Sequence, residues 1–130
     1  MDTDNGRYRK DERINMNNIS PQLQNQIAQF QQVQQQLQSV STQKMQMEMQ
    51  KREMERTKEE LSRSTGDVYK NVGSLLIKAE SKESIANELE ESLETLEIRI
   101  KALDRQEKGL REKFQSLQET INKAMGSQQQ

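Results

Sequence analysis

Apolar residues along this chain recur at the spacing of a helix seam. From Leu23 they fall at Phe30, Val33, Leu37, Val40, Met47, Met54 and Leu61. With Leu23 at position a of a heptad, every one of them lies at a or d. Gln26 takes one d position, and the remaining a positions hold Lys44, Lys51 and Lys58. A second register begins at Ala86 and passes through Leu89, Leu93, Leu96, Ile100, Leu103, Leu110, Phe114, Leu117, Ile121 and Ala124. Only Glu107 interrupts it at a. Two registers of about six heptads each predict two coiled-coil helices.

The flanking residues carry start and stop signals at matching places. Ser20-Pro21 is an N-cap with proline at N1, where its missing N–H costs nothing. Ser64-Thr65-Gly66 ends the first helix, with Gly66 suited to a left-handed C′ position. Ser81 caps the second helix, and Glu83 sits near its positive end. Gly126-Ser127 and the glutamines after them are expected to end it. The spacing thus predicts helices over 20–64 and 82–125, each about 66 Å long at ~1.5 Å per residue. A short connector between equal helices implies antiparallel pairing. That pairing sets Phe30 near Phe114, Leu23 near Ile121, and Lys51 near Glu94 and Glu90. Residues 83–97 carry six acids and no base, opposite a stretch with Lys44, Lys51, Arg52, Arg56 and Lys58. Lysine at a helps to fix register and partner, or lies over the seam with its ammonium in water.

The connector, 67–79, holds two β-rich runs around Gly73-Ser74, a type II′ hairpin signal. An isolated hairpin is marginal in water and both its edges are open. Leu75, Leu76 and Ile77 also leave an apolar patch with no core beneath it. The economical solution is further copies of the hairpin, or its relatives, completing a shared sheet or barrel. Val68, Tyr69, Val72, Gly73, Leu75, Leu76 and Ile77 are the candidate assembly residues. The fold class is therefore mainly α: a long antiparallel two-helix coiled coil, with a β-hairpin between the helices that joins an oligomeric β-barrel.

From Ile14 through Gln43 there is no charged residue, and glutamine dominates. This stretch, with the end of the second helix, forms a tip with Ile19, Leu23, Ile27, Phe30, Val33, Leu117, Ile121 and Met125 on uncharged ground. These are candidates for weak binding of exposed apolar segments of other proteins. Ile27 at e lies outside the a/d seam, while Phe30 and Leu117 also fit ordinary core. Met47 and Met54 at d belong to the core; Met45 and Met49 flank it.

Composition narrows the function. Apolar residues make up 30% of the 130, too few for a layered globule, and charged residues make up 32%. The net charge of −1 is a poor footprint for nucleic acid or an anionic membrane. Histidine, cysteine and tryptophan are absent, which excludes disulfides, thiolate catalysis, Cys/His zinc sites and histidine acid–base chemistry. The carboxylates lie on solvated helix faces, and no glycine loop is suited to phosphate. The expectation is a non-enzyme without cofactor or metal. No apolar run reaches bilayer length and the start has no signal-peptide core, so the cytoplasm is the expected location.

Three segments, Pro21-Gln-Leu-Gln-Asn-Gln-Ile-Ala-Gln-Phe30, Val68-Tyr-Lys-Asn-Val-Gly-Ser-Leu-Leu-Ile-Lys78 and Leu93-Glu-Thr-Leu-Glu-Ile-Arg-Ile100, resemble the prefoldin beta subunits of archaeal type. The hairpin segment is the most specific, and the resemblance covers residues 19–125. It implies an ATP-independent holdase: a hexamer of two alpha and four beta subunits whose hairpins form a central β-barrel. It further implies that the coiled-coil tips grip unfolded clients and deliver them to a group II chaperonin. The rival reading is a structural coiled-coil tether or adaptor without client binding. A basic-zipper DNA binder lacks its basic stretch, because the sequence before Leu23 is charge-free back to Ile14. Residues 1–19 read as a polar disordered extension, with 1–15 either such an extension or an incorrectly assigned start. Residues 126–130 read as a disordered tail. Within the extension, Asp2, Asp4, Asp11 and Glu12 cancel the Arg7-Tyr8-Arg9-Lys10 cluster.

Overall fold

The computed structural model describes residues 19–129. Its elements, in chain order, are α1 (Pro21–Arg63), β1 (Tyr69–Val72), β2 (Leu75–Lys78) and α2 (Lys82–Gln129). The extension and its basic cluster fall outside the described residues. Ile19, assigned to that extension by the sequence, is instead packed and only 8% exposed.

Capping sets the helix starts. The Leu23 N–H donates to Ser20 Oγ at 3.0 Å and the Gln24 N–H donates to the Ser20 carbonyl at 3.0 Å. Ser84 N–H donates to Ser81 Oγ at 3.0 Å. Both serines thus hold an amide that the helix itself leaves without a partner. At the end of α1, the Ser64 hydroxyl donates to the Leu61 carbonyl at 2.9 Å, and Gly66 follows at φ 88°. Lys82, the first residue of α2, donates its ammonium to the carbonyls of Ser62 and Ser64 at 3.1 and 2.9 Å. Its cation therefore meets the negative end of α1.

The second helix runs further than its sequence suggests. It continues through Gly126 to Gln129, past the stop expected at Gly126-Ser127. Gly126 does not adopt the left-handed backbone seen at Gly66 and Gly73. Its helical penalty of about 1 kcal/mol relative to alanine is small, and glutamine is a good helix former.

Between the helices, β1 and β2 pair antiparallel in the register Tyr69↔Lys78, Lys70↔Ile77, Asn71↔Leu76 and Val72↔Leu75. Gly73 has φ 62°, the left-handed value that the first central residue of a primed two-residue turn requires. The ladder gains one more bond where the Ala79 N–H donates to the Val68 carbonyl at 2.8 Å.

The chain divides into two compact units. One comprises the residues up to Gln38 and those from Lys108 onward; the other is Ser39–Glu107. In the first, the terminal unit, Ile19, Leu23 and Ile121 form a core with Ile27, Phe30, Ala124 and Met125 packed around it. Phe30 and Phe114 stack with centroids 4.6 Å apart, as antiparallel pairing predicts. In the second, the hairpin unit, Val40, Leu61, Ala79, Leu93 and Leu96 are buried.

The a-position lysines of the hairpin unit form a ladder. Lys44 reaches Asp104 at 2.8 Å, Lys51 reaches Glu97 at 3.7 Å, and Lys58 pairs with Glu90. Every rung joins an a residue of α1 to an e residue of α2, one heptad apart on both helices. Lys51 therefore meets Glu97 rather than Glu94 or Glu90. A long side chain leaning along the helix reaches the neighbouring row, and Glu90 is left to Lys58. Met45 and Met49, undecided in the sequence, are exposed, whereas Met47 and Met54 are half-buried.

The rung nearest the end of this unit is more than a surface pair. Glu107, 7% exposed, is the buried charged residue among those described. It accepts from Lys44 Nζ at 3.1 Å and from the Ser41 hydroxyl. The hydrogen bond to Asp104, then that to Glu107, raises the Lys44 pKa above 10.5. Its contribution to stability is thus intact below the ordinary lysine value and is lost as pH climbs through the raised one.

Two stability tests separate these effects. Lys44→Met should lower the melting temperature, read by circular dichroism, more than Lys51→Met, because it removes the cation beside buried Glu107. Joint replacement of Lys44 and Glu107 by leucine should recover the loss; equal falls for the two single variants would remove Glu107 from the account. Gly109 is helical, and no heavy atom beyond its own helix backbone and chain neighbours lies within 4 Å of the place a methyl group would occupy. Gly109→Ala should therefore stabilise the chain by about 1 kcal/mol in chemical denaturation.

Candidate functional site

The terminal unit carries a shallow groove of about 370 Å³ beside its seam. From α1 it is lined by Ile27, Phe30, Gln31 and Gln34, and from α2 by Gln118, Ile121, Asn122 and Met125. In heptad terms each helix supplies e, a, b and e. In an antiparallel pair the e rows of the two helices face each other along one side of the seam. The groove thus runs between the two e rows, over Phe30 and Ile121 at a.

Its lining contains no charge. Ile27, Phe30, Ile121 and Met125 form the apolar part, and four carboxamides complete the wall. The tip candidates fall into two groups. Ile19, Leu23, Val33 and Ile121 are buried, at 9% exposure or less, and hold the helices together. Ile27, Phe30, Leu117 and Met125 are half-buried. Ile27, Phe30 and Met125 join the core cluster and also line the groove; Val33 and Leu117 do neither.

The carboxamides Gln31, Gln34, Gln118 and Asn122 were not singled out by sequence. Their signal was available in the e and b positions of the charge-free stretch and its partner helix. The hairpin unit makes a groove of similar size, about 340 Å³, on the same e side. Lys51, Glu55, Lys58, Glu59, Glu90 and Glu97 fill its walls, so it is a solvated ionic surface.

A second surface is the hairpin itself, in which all eight strand residues are exposed. Paired residues share a face. One face therefore carries Lys70, Val72, Leu75 and Ile77, and the other Tyr69, Asn71, Leu76 and Lys78. Leu75 and Leu76 are 63% and 67% exposed. The apolar side chains thus point two ways, and one covering partner on one side leaves the other wet. Val68 is half-buried at the base, and Gly73 makes the turn. Within the chain the strands are tied down by Lys70–Glu88 at 3.3 Å and Lys78–Asp67 at 3.4 Å. Ion pairs this exposed contribute little.

The prefoldin subunit family matches residues 24–128, taking in the hairpin and nearly all of both helices. The chain belongs to the prefoldin family. Among solved structures, the crystal structure of the prefoldin beta subunit from Thermococcus strain KS-1 is 40% identical, with a TM-score of 0.76. That alignment covers 82% of this chain and 95% of the other. No curated protein matches. Prefoldin is a chaperone family and not an enzyme family, so the chain is a chaperone subunit, and membership implies a hetero-oligomeric prefoldin complex. Among the described residues, no helix is long and apolar enough to cross a membrane.

Proposed function

We propose that this prefoldin subunit is a beta-type component of an ATP-independent holdase. It captures unfolded proteins through the terminal unit and passes them to a group II chaperonin. The observation that carries this reading is the uncharged, partly apolar groove at Ile27, Phe30 and Met125. Apolar side chains of an unfolded chain gain burial there without desolvating a charge. The buried residues Ile19, Leu23, Val33 and Ile121 contribute by holding the two helices that form the groove.

Assembly uses the hairpin. Strands exposed on both faces, with both edges unpaired, are completed by strands of other subunits, in a barrel shared by two alpha and four beta chains. The cytoplasm is its place of work. A tether without client binding would leave the groove without a purpose.

A groove of this size holds a client at about millimolar affinity, near −4 kcal/mol. Several grooves on one body raise avidity by ~10²–10⁴ with no new kind of contact. Weak individual contacts also let a client go without nucleotide hydrolysis.

Capture and assembly are separable by mutation. Ile27→Glu should weaken suppression of client aggregation by about tenfold while native mass spectrometry still finds the intact hexamer. Unchanged suppression removes Ile27 from the site. Leu76→Asp and Ile77→Asp should each break the hexamer, and a complex that survives both contradicts assembly through the hairpin.

A further inference from the structure

The chemistry of the terminal groove narrows what it takes beyond an apolar segment in general. Two grooves of similar size lie on the e side of the seam. One is walled by lysines and carboxylates, the other by Gln31, Gln34, Gln118 and Asn122. The α1 e row carries Ser41, Glu48 and Glu55 in the hairpin unit, and Ile27 and Gln34 in the terminal unit. The first charge along the α2 row is Arg111, outside the lining. Elsewhere on that helix, exposed Lys113, Glu119 and Lys123 present both signs. A ligand in the terminal groove therefore meets no dominant charge. Each carboxamide both donates and accepts, which matches the unpaired N–H and C=O groups of an extended backbone.

The floor has its own preference. Phe30, already stacked on Phe114, borders the groove together with the Met125 thioether. Ring–ring and sulfur–ring contacts each add to simple burial. A cavity of ~150 Å³ holds one benzene, so the groove has room for about two ring-sized groups.

We propose that the groove takes aromatic side chains carried on an extended segment of an unfolded protein, whatever the charge of the flanking residues. This rests on the client-capture reading above and specifies its substrate class.

The test uses the full chain, with isoleucine and methionine methyls labelled for NMR. The probes are neutral Gly/Ser peptides bearing two phenylalanines, their cyclohexylalanine counterparts, and phenylalanine peptides flanked by lysine or by glutamate. The Ile27 and Met125 methyls should shift on titration, with phenylalanine binding about threefold tighter than cyclohexylalanine. Lysine and glutamate flanks should agree within about twofold, from about 0.05 M to about 0.5 M salt. Equal or tighter binding of cyclohexylalanine, or a tenfold preference for one flank, overturns the inference while leaving client capture at the groove intact. Shifts that follow protein concentration alone assign the groove to a second copy of this chain and also overturn it. If no peptide moves either methyl, the client-capture reading falls with it.

Discussion

Two helices packed side by side bury a seam, and among the described residues the buried core lies along it and at the helix starts. Within the helices the buried residues are all at a or d, so each other row is free to serve another purpose. The hairpin shows the consequence most directly. With no second layer available, its strands stay exposed on both faces, held by a few exposed ion pairs and the bond from Ala79 to Val68. In the hairpin unit the seam is itself partly ionic. Lysines at a lean out to acids at e, rung after rung, and Glu107 with Ser41 and Lys44 brings one charge cluster inside. Such rungs help to fix register and partner.

The row beside the seam carries the functional contrast. Apart from Ser41 and Ser62, its e residues are charged in the hairpin unit, where they keep water over the seam and discourage other contacts. At the terminal groove the same heptad positions are isoleucine, methionine and carboxamides, with Arg111 outside the lining. Ile27 and Met125 at e pack against the core of Leu23 and Ile121 and also line the groove. Both are half-buried, so part of their apolar surface is left for contacts outside the chain.

Local signals made much of the fold legible. Ser20-Pro21, Ser81, Gly66 and Gly73 each act within a turn of themselves, and each fixed a boundary or bend where its chemistry predicted. Phe30 and Phe114 were paired correctly because heptad counting needs only the two registers and the antiparallel sense. Finer matters were not legible. Which acid Lys51 reaches depends on how its stem leans over the seam, a shift of one helical turn that periodicity cannot resolve. Gly126 reads as a stop, yet a lone glycine without positive φ is absorbed by the glutamines after it. At the groove, apolar character alone did not divide Leu23 and Ile121, buried, from Ile27 and Met125, half-buried. That division is set by heptad position: Leu23 lies on the a/d seam, and Ile27 and Met125 lie beside it.

The thinness of the structure also ties capture to assembly. A groove bounded by two helices is open along its length, so it surrounds a bound side chain on fewer sides than a cavity does and holds it weakly. A deeper pocket would need a further element packed over the two helices, and among the described residues there is none. Strength must then come from number, and number requires subunits joined somewhere other than at the groove. The hairpin meets that condition, because its exposed strands belong to the hairpin unit and share no residue with the groove lining. On the proposed reading, capture at the helix tip and assembly through the β-strands thus use separate residues of one chain.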